Sequence, residues 1–306
     1  MKKLNQTTIL EFILMAFSDD PAKQPLLFFM LLCIYLTTMV GNLLIILTII
    51  SNACFHTPMY VFLSNLSLID LCLSSTTMMG AMLTSGKTIS YGGCMSQLFF
   101  FTWSLGAEMV LFTTMAYDNY VAICFPFRYS AIVNHCTCVA LLNIVMDIAV
   151  TNSWVHTGLI LRMTFCGPNT IDHLFCEIPP LLALSCSPIS IKEVMMYVAD
   201  ITLSVGDFTL TCISYGFIIA AILCIRAAEG KRKAFFTCSS HLMVVSLYYF
   251  PVIYTYIRPT SSDTLERDKV VAALYTLVTP TLNPIVYSFQ NKEIIYKVFP
   301  LFLSYS

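Results

Sequence analysis

The chain has 306 residues, of which 58% are hydrophobic and only 11% charged, with a formal net charge of −1. Charged residues make up about a quarter of an ordinary soluble domain, so this composition excludes that class and makes a lipid bilayer the expected solvent and partner, with no nucleic acid.

Residues 1–25 read as an extracellular segment. They contain Asn5-Gln6-Thr7, an acceptor pattern for a sugar on Asn5. An apolar run near Ile9 to Phe17 is interrupted by Glu11, which leaves too short a core for a cleavable signal peptide. The first span is therefore expected to act as the targeting signal. Seven apolar stretches follow, over about 26–50, 58–82, 97–124, 138–161, 194–225, 235–257 and 270–289. Each approaches or exceeds the roughly 20 residues that a spanning helix needs. Residues 290–306 remain as a short cytoplasmic tail.

Backbone groups in hydrocarbon must be satisfied within the segment, which excludes open sheets, and runs this long do not suit the alternating strands of a barrel. The expectation is an all-α membrane protein, a seven-transmembrane helix bundle over 26–289. Seven spans put the termini on opposite sides, and the cluster Lys231-Arg232-Lys233 places the amino terminus outside. Asn65-Leu66-Ser67 also has the acceptor pattern but lies within the second span and should stay unmodified.

Asp70, Glu108, Asp118, Asp147, Asp200 and Asp207 lie in or at the ends of predicted spans without a matching buried Lys or Arg. Such groups must be protonated, hydrogen-bonded, wet or bound to a cation. Of the thirteen cysteines, Cys94, Cys166, Cys176 and Cys186 fall on the expected outer, oxidising side, where four thiols allow three connectivities. The other cysteines read as small apolar packing residues. No phosphate loop and no His-Glu-x-x-His pattern is present, and His56, His135, His156, His173 and His241 do not cluster, so an enzyme is not expected. The absence of an internal repeat disfavours a transporter.

Short phrases throughout the chain resemble one family. They are Gly41-Asn42, Pro58-Met59-Tyr60-Val61-Phe62-Leu63-Ser64-Asn65-Leu66-Ser67, Met115-Ala116-Tyr117-Asp118-Asn119-Tyr120-Val121-Ala122-Ile123-Cys124, Ser214-Tyr215, Lys233-Ala234-Phe235-Phe236-Thr237-Cys238-Ser239-Ser240-His241-Leu242 and Pro280-Thr281-Leu282-Asn283-Pro284-Ile285-Val286-Tyr287. Together they resemble the odorant (olfactory) receptors, a branch of the rhodopsin-like G-protein-coupled receptors. Cys166-Gly167-Pro168-Asn169 and Phe175-Cys176-Glu177-Ile178-Pro179-Pro180 are similar to the tetrapod-type, class II subset.

The resemblance implies a rhodopsin-like bundle, disulfides Cys94–Cys176 and Cys166–Cys186, and a sodium ion held by Asp70 and Glu108. A protonated, water-bridged carboxylate pair is the alternative to the ion. It implies a ligand pocket lined by Phe101, Thr102, Leu105, Gly106, Ala199, Asp200, Leu203, Val252, Tyr256 and Thr276, between the third, fifth, sixth and seventh spans. A mostly apolar lining with a few hydroxyls suits a small, volatile, weakly polar molecule, and an inward-facing Asp200 would favour an amine. Asp118, Asn119 and Tyr120 stand where the family grips its G protein, a stimulatory one that raises cyclic AMP. Asn283 and Pro284 form a hinge with two packings, in which Tyr287 is a switch partner of Tyr215.

The chain departs from the family pattern at Asn119, where Arg is expected, and at Phe125, Phe250 and Gln290. An Asn donates hydrogen bonds but carries no charge. Loss of that arginine either raises basal activity or abolishes coupling, so a non-signalling receptor-like membrane protein is the alternative. A retinal protein is disfavoured because no lysine lies between Val270 and Phe289, and a monoamine receptor because Phe101 stands where a carboxylate is needed.

Overall fold

The computed structural model describes residues 10–14, 22–52, 55, 57–83, 88–165, 169–185, 191–225, 227–257 and 265–290. Seven spans are long and apolar enough to cross a membrane. They are α1 (Gln24–Ser51), α2 (Pro58–Leu83), α3 (Tyr91–Cys124), α5 (His135–Ile160), α7 (Ile191–Cys224), α8 (Ala228–Ile257) and a composite last span. That last span joins α9 (Leu265–Ala273), a π-helical segment Leu274–Val278 and α10 (Thr279–Gln290). Two short helices, α4 (Tyr129–Ile132) and α6 (Ile178–Ala183), lie in the connections.

Three spans begin five or more residues before their apolar runs. In α3 the helix starts at Tyr91 because Ser90 caps it, its hydroxyl accepting from the Gly93 N–H at 3.1 Å. In α8 the first turns carry Glu229, Lys231, Arg232 and Lys233. There the helix continues beyond hydrocarbon, where charges are cheap and apolarity stops reporting helix. The last span likewise starts at Leu265, on the polar turn Glu266-Arg267-Asp268-Lys269.

A small sheet sits outside the spans, an addition to the all-helical expectation. Its strand β1 (Glu11–Leu14) lies between β2 (Thr88–Ser90), which is antiparallel to it, and β3 (Thr170–Ile171), which is parallel. Phe12 and Leu14 are fully buried, and the Phe12 ring packs against Tyr91 and Phe165 with centroids 6.0 and 5.8 Å apart. Within the interrupted apolar stretch, Glu11–Leu14 thus form a strand whose alternate residues cover this end of the bundle.

The axis of the bundle is α3. Of its apolar window 78% is buried, against 22% for α1, α5 and α7, because it packs between α2, α5 and α7. The first and last spans are joined by polar contacts at a close crossing. Asn42 donates to the carbonyls of Thr38 and Pro280, both at 3.1 Å, and the Thr38 and Thr281 hydroxyls are 2.6 Å apart. A β-carbon on Gly41 would stand 3.2 Å from Pro284, tighter than ordinary contact, so this crossing requires the missing side chain.

Replacing Asn42 with Ala should lower the thermal stability of the detergent-solubilised protein by about 0.6–2 kcal/mol, the range for one interhelical hydrogen bond in a membrane bundle. An unchanged melting temperature would mean that the Asn42–Pro280 bond contributes nothing to the packing of α1 on α10.

Candidate functional site

At the end of the bundle that carries the sheet, the connection between α5 and α7 is pinned from several sides. A disulfide joins Cys94 at the start of α3 to Cys176. The Cys176 N–H donates to Gln97 Oε1 at 3.0 Å, and Gln97 Nε2 donates to the Thr76 carbonyl on α2 at 2.8 Å. Tyr275, in the π-helical segment, donates its hydroxyl hydrogen to Glu177 Oε1, and Lys269 pairs with Asp172 at 2.6 Å. Cys166 and Cys186, expected as a second disulfide, and the acceptor Asn5 lie outside the described residues.

His173 belongs to this clasp. Its Nε2 is 3.5 Å from Glu177 Oε2, a proximity that would favour the charged ring. Burial nevertheless pushes the imidazole down to about 4, the backbone at Phe175 pulling it back up, the Lys269 charge lowering it and Asp172 raising it. The contact is therefore one between a neutral ring and a carboxylate, not an ion pair.

Beneath the clasp lies a cavity of about 30 Å³. Five of the residues expected to line a pocket line it: Thr102, Leu105, Gly106, Leu203 and Val252. Met109, Asn152, His156, Ile178 and Ser204 complete the wall. The cavity therefore opens toward α5, whereas the sequence pointed to the third, fifth, sixth and last spans alone. Thr102 bonds the Leu98 carbonyl at 2.8 Å and lies 2.9 Å from the Ser153 hydroxyl. His156 and Asn152 approach to 3.1 Å one turn apart. Gly106 leaves the gap, since a β-carbon there would reach Ala149 and Asn152 only at 3.7 Å.

Two expected lining residues are used elsewhere. Phe101 packs on Phe175 at 4.9 Å, and Thr276 turns its hydroxyl to the Ala272 carbonyl at 2.7 Å. Neither borders the cavity. The side chains of Ala199, Asp200 and Tyr256 lie outside the described residues. Asn152 and His156 were missed because polar residues in an apolar span read as tolerated packing. Their four-residue spacing, beside Ser153 and Thr157, was the available signal.

Midway along α3 the polar groups become ionisable. Asp70 on α2 accepts two hydrogen bonds from Asn283 Nδ2, at 2.9 and 3.1 Å. Glu108 lies beside Asp70 and Tyr248, yet neither of its oxygens has a partner within hydrogen-bond geometry. Ser74, one turn beyond Asp70, Ser104, one turn before Glu108, and the Asn283 side-chain oxygen Oδ1 are also buried without partners. Two carboxylates among neutral oxygen donors fit a hard monovalent cation. Among the described residues there is no cluster of three or more His, Cys, Asp or Glu to hold a transition metal. Tyr248 and Tyr249 of α8 donate to the α3 carbonyls of Leu105 and Met109, at 2.8 and 3.2 Å.

At the far end, Asp118 accepts from the Tyr129 hydroxyl of α4 at 2.8 Å. Asn119 turns to the Tyr215 hydroxyl on α7, and Tyr120 packs on Phe125 and Phe217 with centroids 5.8 and 5.9 Å apart. Tyr215 also bonds His241 Nδ1 and stacks on that ring at 5.7 Å, and the Tyr287 ring lies tilted to it at 6.2 Å. His241 thus contacts both of the tyrosines that the sequence paired. Pro284 interrupts the ladder of α10 where Asn283 reaches Asp70.

Seven membrane-spanning helices around a central third one, a small cavity under a disulfide-pinned connection and a ring cluster at the opposite end define a seven-helix membrane receptor. Residues 31–304 match the family model described as olfactory receptor. Over 293 residues, 95% of each chain, the protein is 70% identical to human olfactory receptor 13G1. It is 45% identical to human olfactory receptor 13A1, over 97% of this chain and 93% of that one, and 41% identical to mouse olfactory receptor 5AR1, over 96% of each. The chain belongs to the olfactory receptor family, and it is a signalling receptor by kind rather than an enzyme.

Because the His173 value in the folded protein lies below its ordinary 6.5, the unfolded chain binds the extra proton first. Stability should therefore be fully present above pH 6.5 and should fall as pH drops toward 4, by up to about 3 kcal/mol. Melting curves of the purified protein and of His173→Gln between about pH 7 and pH 4 check this. The unmodified protein should lose more, and parallel losses would assign the sensitivity to other groups.

Proposed function

We propose that the protein is an odorant receptor of the plasma membrane, with the amino terminus and the disulfide end outside and the Asp118 end in the cytoplasm. A small, weakly polar volatile molecule enters from the outer side and occupies the cavity beside Gly106. The observation that carries this reading is the cavity itself. Its wall is apolar at Leu105, Met109, Ile178, Leu203 and Val252 and polar at Thr102, Asn152, His156 and Ser204, a lining suited to an apolar body with one polar group. Its size requires the wall to adjust around a ligand. A ligand that prefers the adjusted wall shifts the equilibrium between two packings of the bundle, and the open cytoplasmic face promotes nucleotide exchange on a stimulatory G protein that raises cyclic AMP.

Asp70 and Glu108 are proposed to hold a sodium ion in the resting packing. The partnerless oxygens of Glu108, Ser74 and Ser104 support this. A cation there removes the repulsion of two facing carboxylates.

A second reading follows from Asn119. Its amide is turned to Tyr215 and the Asp118 carboxylate is taken by Tyr129. The chain therefore has no charged side chain at position 119 to release toward a G protein. In that reading the receptor binds ligand but couples poorly.

Cyclic AMP measured in cells displaying the receptor, across an odorant panel, separates the two. A ligand-dependent rise that Gly106→Leu removes at equal surface expression supports signalling from this cavity. Silence rescued by Asn119→Arg would sink the signalling claim while leaving the pocket intact.

For the ion, stability in sodium chloride should exceed that in an equal concentration of a bulky organic chloride by about 1.4 kcal/mol at ten times Kd, read as a higher melting temperature. Glu108→Gln should abolish the difference. Equal melting in both salts would leave the carboxylates as a proton-sharing pair.

A further inference from the structure

The wall of the cavity holds a hydrogen-bond donor that the fold leaves unspent. Thr102 directs its hydroxyl to the Leu98 and Phe99 carbonyls of its own helix, at 2.8 and 3.1 Å. On α5 the fully buried His156 ring approaches Asn152 Oδ1 with its Nε2 at 3.1 Å. An amide oxygen only accepts, so this bond takes a ring proton on Nε2 and holds the amide with its oxygen toward the histidine. The Nδ2 group is left to face α3. It lies 3.7 Å from the point at which a β-carbon on Gly106 would stand, and both residues border the cavity. That point is open because residue 106 is glycine. Among the described residues Asn152 makes no other side-chain hydrogen bond, so its two amide hydrogens are offered to the gap beside Gly106.

We propose that the cavity selects neutral carbonyl compounds, an inference that rests on the reading of this cavity as the ligand site. The oxygen of a ketone, aldehyde or ester accepts from Asn152 Nδ2, and the hydrocarbon body lies against Leu105, Met109, Leu203 and Val252. A carbonyl oxygen has lone pairs and no hydrogen, which is the complement of an amide NH2 group. An alkylammonium presents only hydrogens and meets a donor. An alcohol can accept, but it brings a hydrogen that needs an acceptor in turn. A plain hydrocarbon leaves the amide unpaired, and an unpaired donor beside apolar side chains is a standing penalty that a ligand oxygen removes. His156 is a positioning residue in this scheme. It acts through Asn152 Oδ1, and its bond keeps the amide from turning over and presenting oxygen to the ligand. Recognition of the polar group thus falls to α5, while α3 supplies the room at Gly106.

Binding to the purified full-length receptor, read as the shift of melting temperature with ligand concentration, tests this without requiring a G protein. The probes are ketones graded in size from butanone to nonanone, each beside the alkane and the alkylamine of the same skeleton. At least one ketone should bind the unmodified receptor, and more tightly than its amine. In Asn152→Ala, which removes the donor without narrowing the cavity, the ratio of ketone to alkane affinity should fall by about 2- to 10-fold, the worth of one neutral hydrogen bond. Asn152→Asp puts an acceptor where the donor stood and should reverse the order of ketone and amine, a change that a folding defect does not produce. His156→Leu should lose the ketone preference, and His156→Gln, which can still donate to Asn152 Oδ1, should keep it. Gly106→Leu fills the gap and should remove binding of every probe. If it does so while Asn152→Ala leaves the ratio unchanged, the cavity is the ligand site and the carbonyl proposal falls alone. If binding survives Gly106→Leu, the ligand sits elsewhere and both readings fall. Binding of none of the ketones overturns the proposal as well.

Discussion

A backbone in hydrocarbon has no water to bond, and the arrangement of this protein depends on that constraint. It makes each span a helix, and it turns polar side chains within the spans toward other helices or back onto carbonyls of their own helix. Thr37, Thr76, Thr102, Thr114 and Thr276 all return to the carbonyl four residues earlier. Where the bond goes to another helix instead, it fixes a crossing. Asn42 holds the Pro280 carbonyl, the two threonines 113 and 211 meet at 3.0 Å, and Tyr248 and Tyr249 hold consecutive turns of α3. Because α3 is enclosed on most of its length, all of these bonds but the first converge on it, and its register sets that of its neighbours.

The same constraint makes unpaired polar atoms informative. Glu108 and its serine neighbours are buried and unsatisfied, so they need a cation, a proton or water. Asp147 is unsatisfied in the opposite direction, toward lipid.

The spans were legible because an apolar run is a direct record of the bilayer. Their ends were not. Lys231, Arg232 and Lys233 continue α8 as a helix although they end the apolar signal, because helix continuation needs only backbone bonds while hydropathy reports the solvent. Strand Glu11–Leu14 was illegible for a different reason. Its pairing partners, Thr88–Ser90 and Thr170–Ile171, are remote in the chain, and four residues of alternation carry little signal by themselves. Within the site, the spacing of Thr102, Leu105 and Gly106 placed them correctly on one face of α3. It could not say which neighbour that face meets. The answer, α5, is a property of the pair, since the face of one helix does not encode which neighbour packs on it.

In the proposed reading these details set the order of events. A ligand beside Gly106 touches Leu105 and Met109, whose carbonyls are the acceptors for Tyr248 and Tyr249. It also touches Ile178, next to Glu177, which Tyr275 grips from the π-helical segment. Enlarging so small a cavity must therefore strain two connections at once, one from α3 to α8 and one from the outer connection to the last span. Beyond both lies the Asp70–Asn283 pair, and next to Asn283 the proline that leaves α10 short of a backbone bond. A π-helical turn and a proline in one span give it two places where the ladder is already imperfect. The span able to repack at least cost is thus the one that touches the outer clasp at Tyr275, the carboxylate pair at Asn283 and the ring cluster at Tyr287. That economy makes it the physical link between a ligand at one end and Tyr215, His241 and Asn119 at the other.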